Sequence, residues 1–179
     1  MLKNKSFLFK IILTSVMIAL NIVLERLLAY SVWNQTISFS FVTIGFTAVF
    51  LGWPYAVAVG ALGDFIGAMI LPFGPYFFGF TLTNAIAAFI TGIFISKKAT
   101  PIRIVSSVLI NKIVCSLFLN TIWIAVLYRG GIAAFYAVLV TRLAQAAIMF
   151  TVESIAFISL YSEKSKIRHQ LNRAFTNMQ

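Results

Sequence analysis

The segment from Pro54 to Phe80, PYAVAVGALGDFIGAMILPFGPYFFGF, contains a single acidic residue, Asp64, and no basic one. A run this apolar is long enough for a membrane-spanning helix, which takes about 20 residues, and its prolines and glycines divide it. Pro54 suits the first turn of a helix, where no backbone donor is needed, so a span is expected from Pro54 to Pro72. Between Leu71 and Gly79 two prolines and two glycines interrupt the helix, while Phe73, Tyr76, Phe77 and Phe78 keep the loop apolar. Such a loop is built to pack over something.

The remainder of the chain is of the same kind. Of its 179 residues 61% are apolar and 10% charged, and the mean hydropathy is +0.98. Four acidic and 14 basic residues cannot cover a soluble domain whose helices are apolar on all sides, so the solvent is lipid. There is room for about six spans with short connections. Besides Pro54–Pro72 these run from Ile11 to Ala29, Ile37 to Trp53, Phe80 to Ile95, Ile104 to Tyr128 and Ile132 to Tyr161, with Tyr30 to Thr36 a short connection. The expected fold is an all-α integral membrane protein, a single six-helix domain over residues 1–161, followed by a basic tail over 162–179. Met1 to Lys10 has the charge of a signal peptide, but the apolar run through Leu24 exceeds an h-region of about 7–15 residues and lacks a small-x-small cleavage site, so an uncleaved first helix is expected.

The net charge of +10 does not indicate nucleic acid, because the basic residues sit between apolar runs rather than on one solvated face. With the N-terminus inside, Lys3, Lys5, Lys10, Lys97, Lys98, Arg103, Lys164, Lys166, Arg168 and Arg173 all fall on the cytoplasmic side, as loops rich in Lys and Arg do. Both termini are therefore expected in the cytoplasm. The lone Cys115 lies in an apolar run and His169 in the hydrophilic tail, which leaves no disulfide framework, metal-ligand spacing or cofactor motif. There is no phosphate loop and no zinc-protease or nucleophile–histidine arrangement, so an enzyme is not expected.

Ionisable residues within the bilayer are costly and face a protein interior where they find partners or a ligand. At about 1.5 Å per residue, Lys112 and Glu153 lie at matching depth in the inner half, on adjacent antiparallel helices, and read as a structural ion pair. Asp64 and Arg142 both lie in the outer half. Lys112, Ser116, Asn120 and Trp123 share one face of the fifth helix, and Arg142, Gln145, Met149 and Glu153 one face of the sixth. With Thr81 and Asn84 on the fourth helix, the residues Asp64, Thr81, Asn84, Asn120, Trp123, Arg142 and Gln145 converge beneath a lid of Phe73, Tyr76 and Phe77. A carboxylate, a guanidinium, amides and stacking rings suit a flat, polar, anionic molecule; Asp64 and Arg142 paired with each other are the structural alternative. Glu25-Arg26 belongs either to the site or to the membrane boundary. Gly60, Gly63 and Gly67 thin the helix around Asp64 for a ligand or a neighbouring helix. Ser15 and Ala19 form a small-xxx-small pair that serves either internal packing or a subunit interface.

The stretches Gly60–Gly67, Pro72–Leu82 and Asn120–Trp123, with Arg142 in the last helix, resemble the substrate-binding S components of energy-coupling factor (ECF) transporters, most closely the folate-specific branch. The resemblance spans nearly the whole chain. It implies a six-helix bundle in the bacterial plasma membrane that captures a vitamin outside, associates with a transmembrane coupling subunit and two ATPases, and topples to deliver its cargo. It would place Ser15 and Ala19 at the coupling surface, with Ser standing where the family's pattern has Ala. Folate fits chemically, with Asp64 on the pterin edge and Arg142 on a carboxylate. Another vitamin or precursor, such as pantothenate or a thiamine pyrimidine, and a stand-alone ion-coupled carrier using Asp64 or Glu153 are the alternatives. The topology has a direct check. A cysteine introduced beside Lys98 should resist an impermeant reagent in sealed cells, and its labelling from outside would reverse the orientation.

Overall fold

A computed structural model describes residues 2–32, 35–72, 76–96, 100–127, 139–140, 142–143, 145–160 and 162. Helix α1 (Leu2–Ile22) continues through a wider π turn (Val23–Leu27). Its exposed Ile12, Val16, Leu20, Val23 and Leu27 show why its sequence is apolar on nearly every side: most of this helix faces lipid or a partner.

The expected connection from Tyr30 to Thr36 is instead an antiparallel hairpin, β1 (Tyr30–Val32) with β2 (Gln35–Ile37), in which Tyr30 pairs with Ile37 and Val32 with Gln35. Aromatic and β-branched residues favour that extended state. As a result the second helix, α2 (Ser40–Phe50), has 11 residues rather than the span expected from Ile37 to Trp53. Its length of about 16 Å is well short of the bilayer core. The next turn is made at Gly52, whose φ of 101° lies in the region that favours glycine, while its amide donates to Thr47 O at 3.1 Å.

Helix α3 (Trp53–Ile70) carries Pro54 in its first turn, as expected. It packs most extensively on α4 (Phe78–Ile95). The contact is backbone-close because a Cβ on Gly60 would stand 2.9 Å from Ala88 Cβ, and one on Gly92 would stand 2.6 Å from Trp53 Cβ. Without a hydrophobic force between helices in lipid, such close approach supplies the association. Helix α5 (Pro101–Leu127) opens with Pro101 behind Thr100, whose hydroxyl accepts from the Arg103 amide at 3.4 Å, and its middle, Lys112–Leu119, is π-helical. Helix α6 covers Gln145–Leu160, preceded by helical residues at 139–140 and 142–143; the remainder of the expected sixth span, and Tyr128, lie outside the described residues.

Several hydroxyls inside the bundle are satisfied by their own helices: Thr14 donates to Lys10 O, Thr47 to Thr43 O and Thr83 to Gly79 O. Val49, Ile95, Ile104, Val108 and Phe157 form an apolar cluster at the end of the bundle where α4 gives way to α5. A second cluster, Ile44, Ala48, Ala56, Val59 and Ala88, joins α2, α3 and α4. Gly92→Ala, which would press a methyl onto the Trp53 backbone at 2.7 Å, should destabilise the bundle by about 1–3 kcal/mol. The thermal midpoint in detergent reads this out, and Gly67→Ala, whose nearest atom is the Arg26 side chain at 3.2 Å rather than backbone at 2.7 Å, should lose less.

Candidate functional site

Each of the six helices contributes to the wall of a cavity of about 490 Å³, within the range of small-molecule sites. Three carboxylates (Glu25, Asp64, Glu153) and three cations (Arg26, Lys112, Arg142) line it, and they fall into two groups.

The first group joins α1, α3 and α4. Arg26 donates from Nη2 to Asp64 Oδ1 at 2.9 Å. The Thr81 hydroxyl donates to Asp64 Oδ2, and Tyr76 OH lies 3.0 Å from the same hydroxyl. Beside this, Glu25 accepts from Asn21 Nδ2 at 2.9 Å and from Asn84 Nδ2 at 3.2 Å, and Thr43 donates to Asn21 Oδ1. The glycines of α3 make room for these partners: a Cβ on Gly63 would meet Asn21 Nδ2 at 2.5 Å, and one on Gly67 would meet Arg26 Nε at 3.2 Å. Gly60, Gly63 and Gly67 thus admit neighbouring helices to α3.

The second group joins α5 and α6. Lys112 donates to Glu153 Oε1 at 2.6 Å, the ion pair expected from matching depth, and both residues also line the cavity. Arg142 Nη1 donates to Ser116 O at 3.3 Å. Asn111 Nδ2 donates to Thr91 Oγ1 at 2.8 Å, fixing α5 against α4. Ser116 O belongs to the π-helical stretch, whose wider turns leave backbone carbonyls open to such partners. Arg142 Nε and Asn120 Oδ1 are buried without a hydrogen-bond partner among the described residues.

Of the residues expected to converge, Asp64, Tyr76, Phe77, Asn84, Asn120, Arg142 and Gln145 line the cavity. Thr81 and Trp123 stand behind this wall. Thr81 holds Asp64, whereas Trp123 donates its indole N–H to Thr83 Oγ1 at 3.0 Å and lies 5.5 Å from the Phe77 ring. Phe73 lies outside the described residues. The alternative of an Asp64–Arg142 pair is not what forms, because Arg26 occupies Asp64 and Arg142 turns to the α5 backbone. Glu25 and Arg26, left open between site and membrane boundary by the sequence, both line the cavity. The available sequence signal for them was the i, i+4 spacing of Asn21 and Glu25 on one helix face.

Comparison with known proteins places this architecture. No protein-family model matches the chain. It is 36% identical over 140 residues to the folate transporter FolT of Clostridium novyi (strain NT), covering 78% of this chain and 80% of that protein. It is 29% identical over 170 residues to the folate transporter FolT of Leuconostoc mesenteroides, covering 92% and 90%. Among solved structures, the crystal structure of FolT bound with folic acid superposes with a TM-score of 0.77 at 31% identity, covering 85% of this chain and 90% of that one. With its apolar helices gathered around a polar cavity, the chain belongs to the FolT family of folate transporters, the folate-specific S components of ECF transporters.

Proposed function

We propose that the cavity is the folate site, with the pterin at the Arg26–Asp64 end and the glutamate moiety toward Arg142. The observation that carries this reading is Arg142 itself, 8% exposed, with Nη1 on Ser116 O and Nε without a hydrogen-bond partner among the described residues. A buried donor left without a partner costs about 1–3 kcal/mol, which a ligand carboxylate on the Nε–Nη2 edge would recover. Asn120, whose side-chain oxygen is buried without a partner among the described residues, stands one helical turn beyond Ser116 on α5 and offers an acceptor for a ligand N–H. At the other end Tyr76 and Phe77 provide rings for stacking, and Thr81 and Trp123 support Asp64 and Phe77 from behind.

For delivery, the protein works with an ECF transmembrane coupling subunit and two ATPases, its termini in the cytoplasm, and topples against that module to release folate inside. Ser15 and Ala19 are both exposed on α1, which supports a surface role for the pair over internal packing. Ser15 donates its hydroxyl to Ile11 O at 3.1 Å, so it presents a small surface to a partner much as alanine would. That supports their assignment to the coupling surface.

Arg142→Ala should lose about 2–5 kcal/mol of folate affinity, as when a buried charge loses its partner. Arg142→Lys should recover only part, since a point charge does not reproduce a bidentate fork. Calorimetry on the purified protein measures both, and near-native affinity in the folded Ala variant would remove Arg142 from the site. Ser15→Trp and Ala19→Trp should abolish folate uptake by cells while leaving binding to the isolated protein intact; parallel loss of both would take these residues off the coupling surface.

A further inference from the structure

We propose that the outer end of the bundle is a surface for lipid acyl chains, sinking into the bilayer as the protein topples while the basic inner end stays among the cytoplasmic headgroups as the pivot. The inference rests on the toppling reading and adds what the moving surface touches.

Membrane bundles hold both ends at the headgroups with charged and amphipathic side chains. Here the two ends differ. The ten basic residues assigned to the cytoplasmic side lie at the inner end. Of these, Lys10 stands with Nζ 5.9 Å from the centroid of the Tyr55 ring, and Arg103 is exposed in the first turn of α5. Residues 27–96, which make both outer connections between α1 and α4, contain one charged side chain, Asp64. It is 4% exposed and paired with Arg26. Glu25 and Arg26 line the cavity, and Arg129, outside the described residues, is the remaining charge that the sequence puts at this end.

Where charged anchors belong, the described outer rim exposes Leu27 and Leu28 at the end of α1, Phe39 before α2, Ile70 and Leu71 at the end of α3, and Phe78 at the start of α4. Leu28, Ile70 and Phe78 are 57%, 63% and 64% exposed, as open as the lipid-facing Val16 in the middle of α1 at 53%. The stripe that faces lipid at Ile12, Val16 and Leu20 thus continues through Leu27 and Leu28 without a charge. An exposed apolar patch of this kind marks a surface that something apolar covers, and charge decides what covers it. A Lys or Arg at bilayer depth lowers the immersed population about 60- to 300-fold, so an end bearing several could not enter hydrocarbon. This end can. Its continuity with the helix sides makes its occupant the acyl chains that already cover them. The connection from α1 to α2 fits as well: as a hairpin pairing Tyr30 with Ile37 and Val32 with Gln35, it satisfies backbone groups that an open loop would leave bare in lipid. The inner end is held at an anionic leaflet by its lysines and arginines, so the tilt turns about that end.

The test separates immersion from folate binding. Leu28→Lys, Ile70→Lys and Phe78→Lys, none at a cavity-lining residue, are compared with Ile102→Lys, which adds the same charge at the inner end where Ile102 is 79% exposed. Each protein is titrated with folic acid after purification and reconstituted with the coupling subunit and two ATPases for ATP-driven uptake into liposomes. All four should bind folic acid within about twofold of the unaltered protein, as expected for distant sites. The three outer-end variants should lose at least about tenfold in uptake, and Ile102→Lys should keep it. Depth is read separately from a bimane on Phe78→Cys, with Cys115→Ala removing the native thiol, through quenching by lipids brominated at mid-chain. Quenching should rise when the protein is assembled with the module. Uptake retained in the folded outer-end variants, or lost equally in Ile102→Lys, overturns the inference while the toppling reading stands. Quenching that is the same alone and assembled overturns the toppling reading, and this inference with it. Should lysine prevent folding at these sites, glutamine there should also lower uptake, and full uptake in the glutamine variants overturns the inference.

Discussion

The ion pair between Arg26 and Asp64 is the contact on which the site depends. In lipid neither charge is tolerable alone, and the pair, at 2.9 Å with side chains 11% and 5% exposed, obliges α1 and α3 to meet face to face. That meeting is possible because Gly63 and Gly67 leave α3 without side chains where Asn21 and Arg26 arrive. It sets the placing of Glu25 beside Asn84, of Thr81 against Asp64, and of Tyr76 over Thr81. Breaking a buried pair by removing one partner is far costlier than the net worth of the pair, so this corner is rigid before any ligand arrives.

At the opposite end of the cavity the logic is reversed. Lys112 and Glu153 satisfy one another at 2.6 Å, whereas Arg142 Nη1 donates to the backbone oxygen of Ser116 and its Nε is buried without a hydrogen-bond partner among the described residues. An incoming anion has its cation at this end. The apolar cluster of Val49, Ile95, Ile104, Val108 and Phe157 packs the α4–α5 end of the bundle, and its Phe157 also lines the cavity.

Much of this was legible in the sequence, for reasons that also mark the limit. Apolar runs and prolines placed α3, α4 and α5 closely, because a bilayer imposes length and composition directly. Depth along those runs paired Lys112 with Glu153. Depth does not give azimuth around the bundle, however, and Arg26 and Arg142 both lie in the outer half, so Asp64 had two eligible cations and only the packing of α1 on α3 selects between them. The hairpin at Tyr30–Ile37 escaped because a window long enough to detect a span averages over three-residue strands. Glu25-Arg26 was ambiguous because a charged pair close to a helix end also serves to anchor a helix at the headgroups.

The π-helical stretch Lys112–Leu119 has an evolutionary consequence. A π turn is an α-helix carrying extra residues, and each residue of an α-helix turns the next by about 100° around the axis. Deleting one exposed apolar residue of this stretch, Ile113 or Phe118, would let the helix relax toward α geometry and close the backbone carbonyls that the wider turns leave open beside the cavity, while the lipid-facing surface of the bundle lost only one apolar residue. Chains of this architecture can therefore change what they recognise by a single-residue gap in the middle of the fifth helix, with no substitution at any ligand-contacting position, and alignments that force that helix to be gap-free would conceal the change.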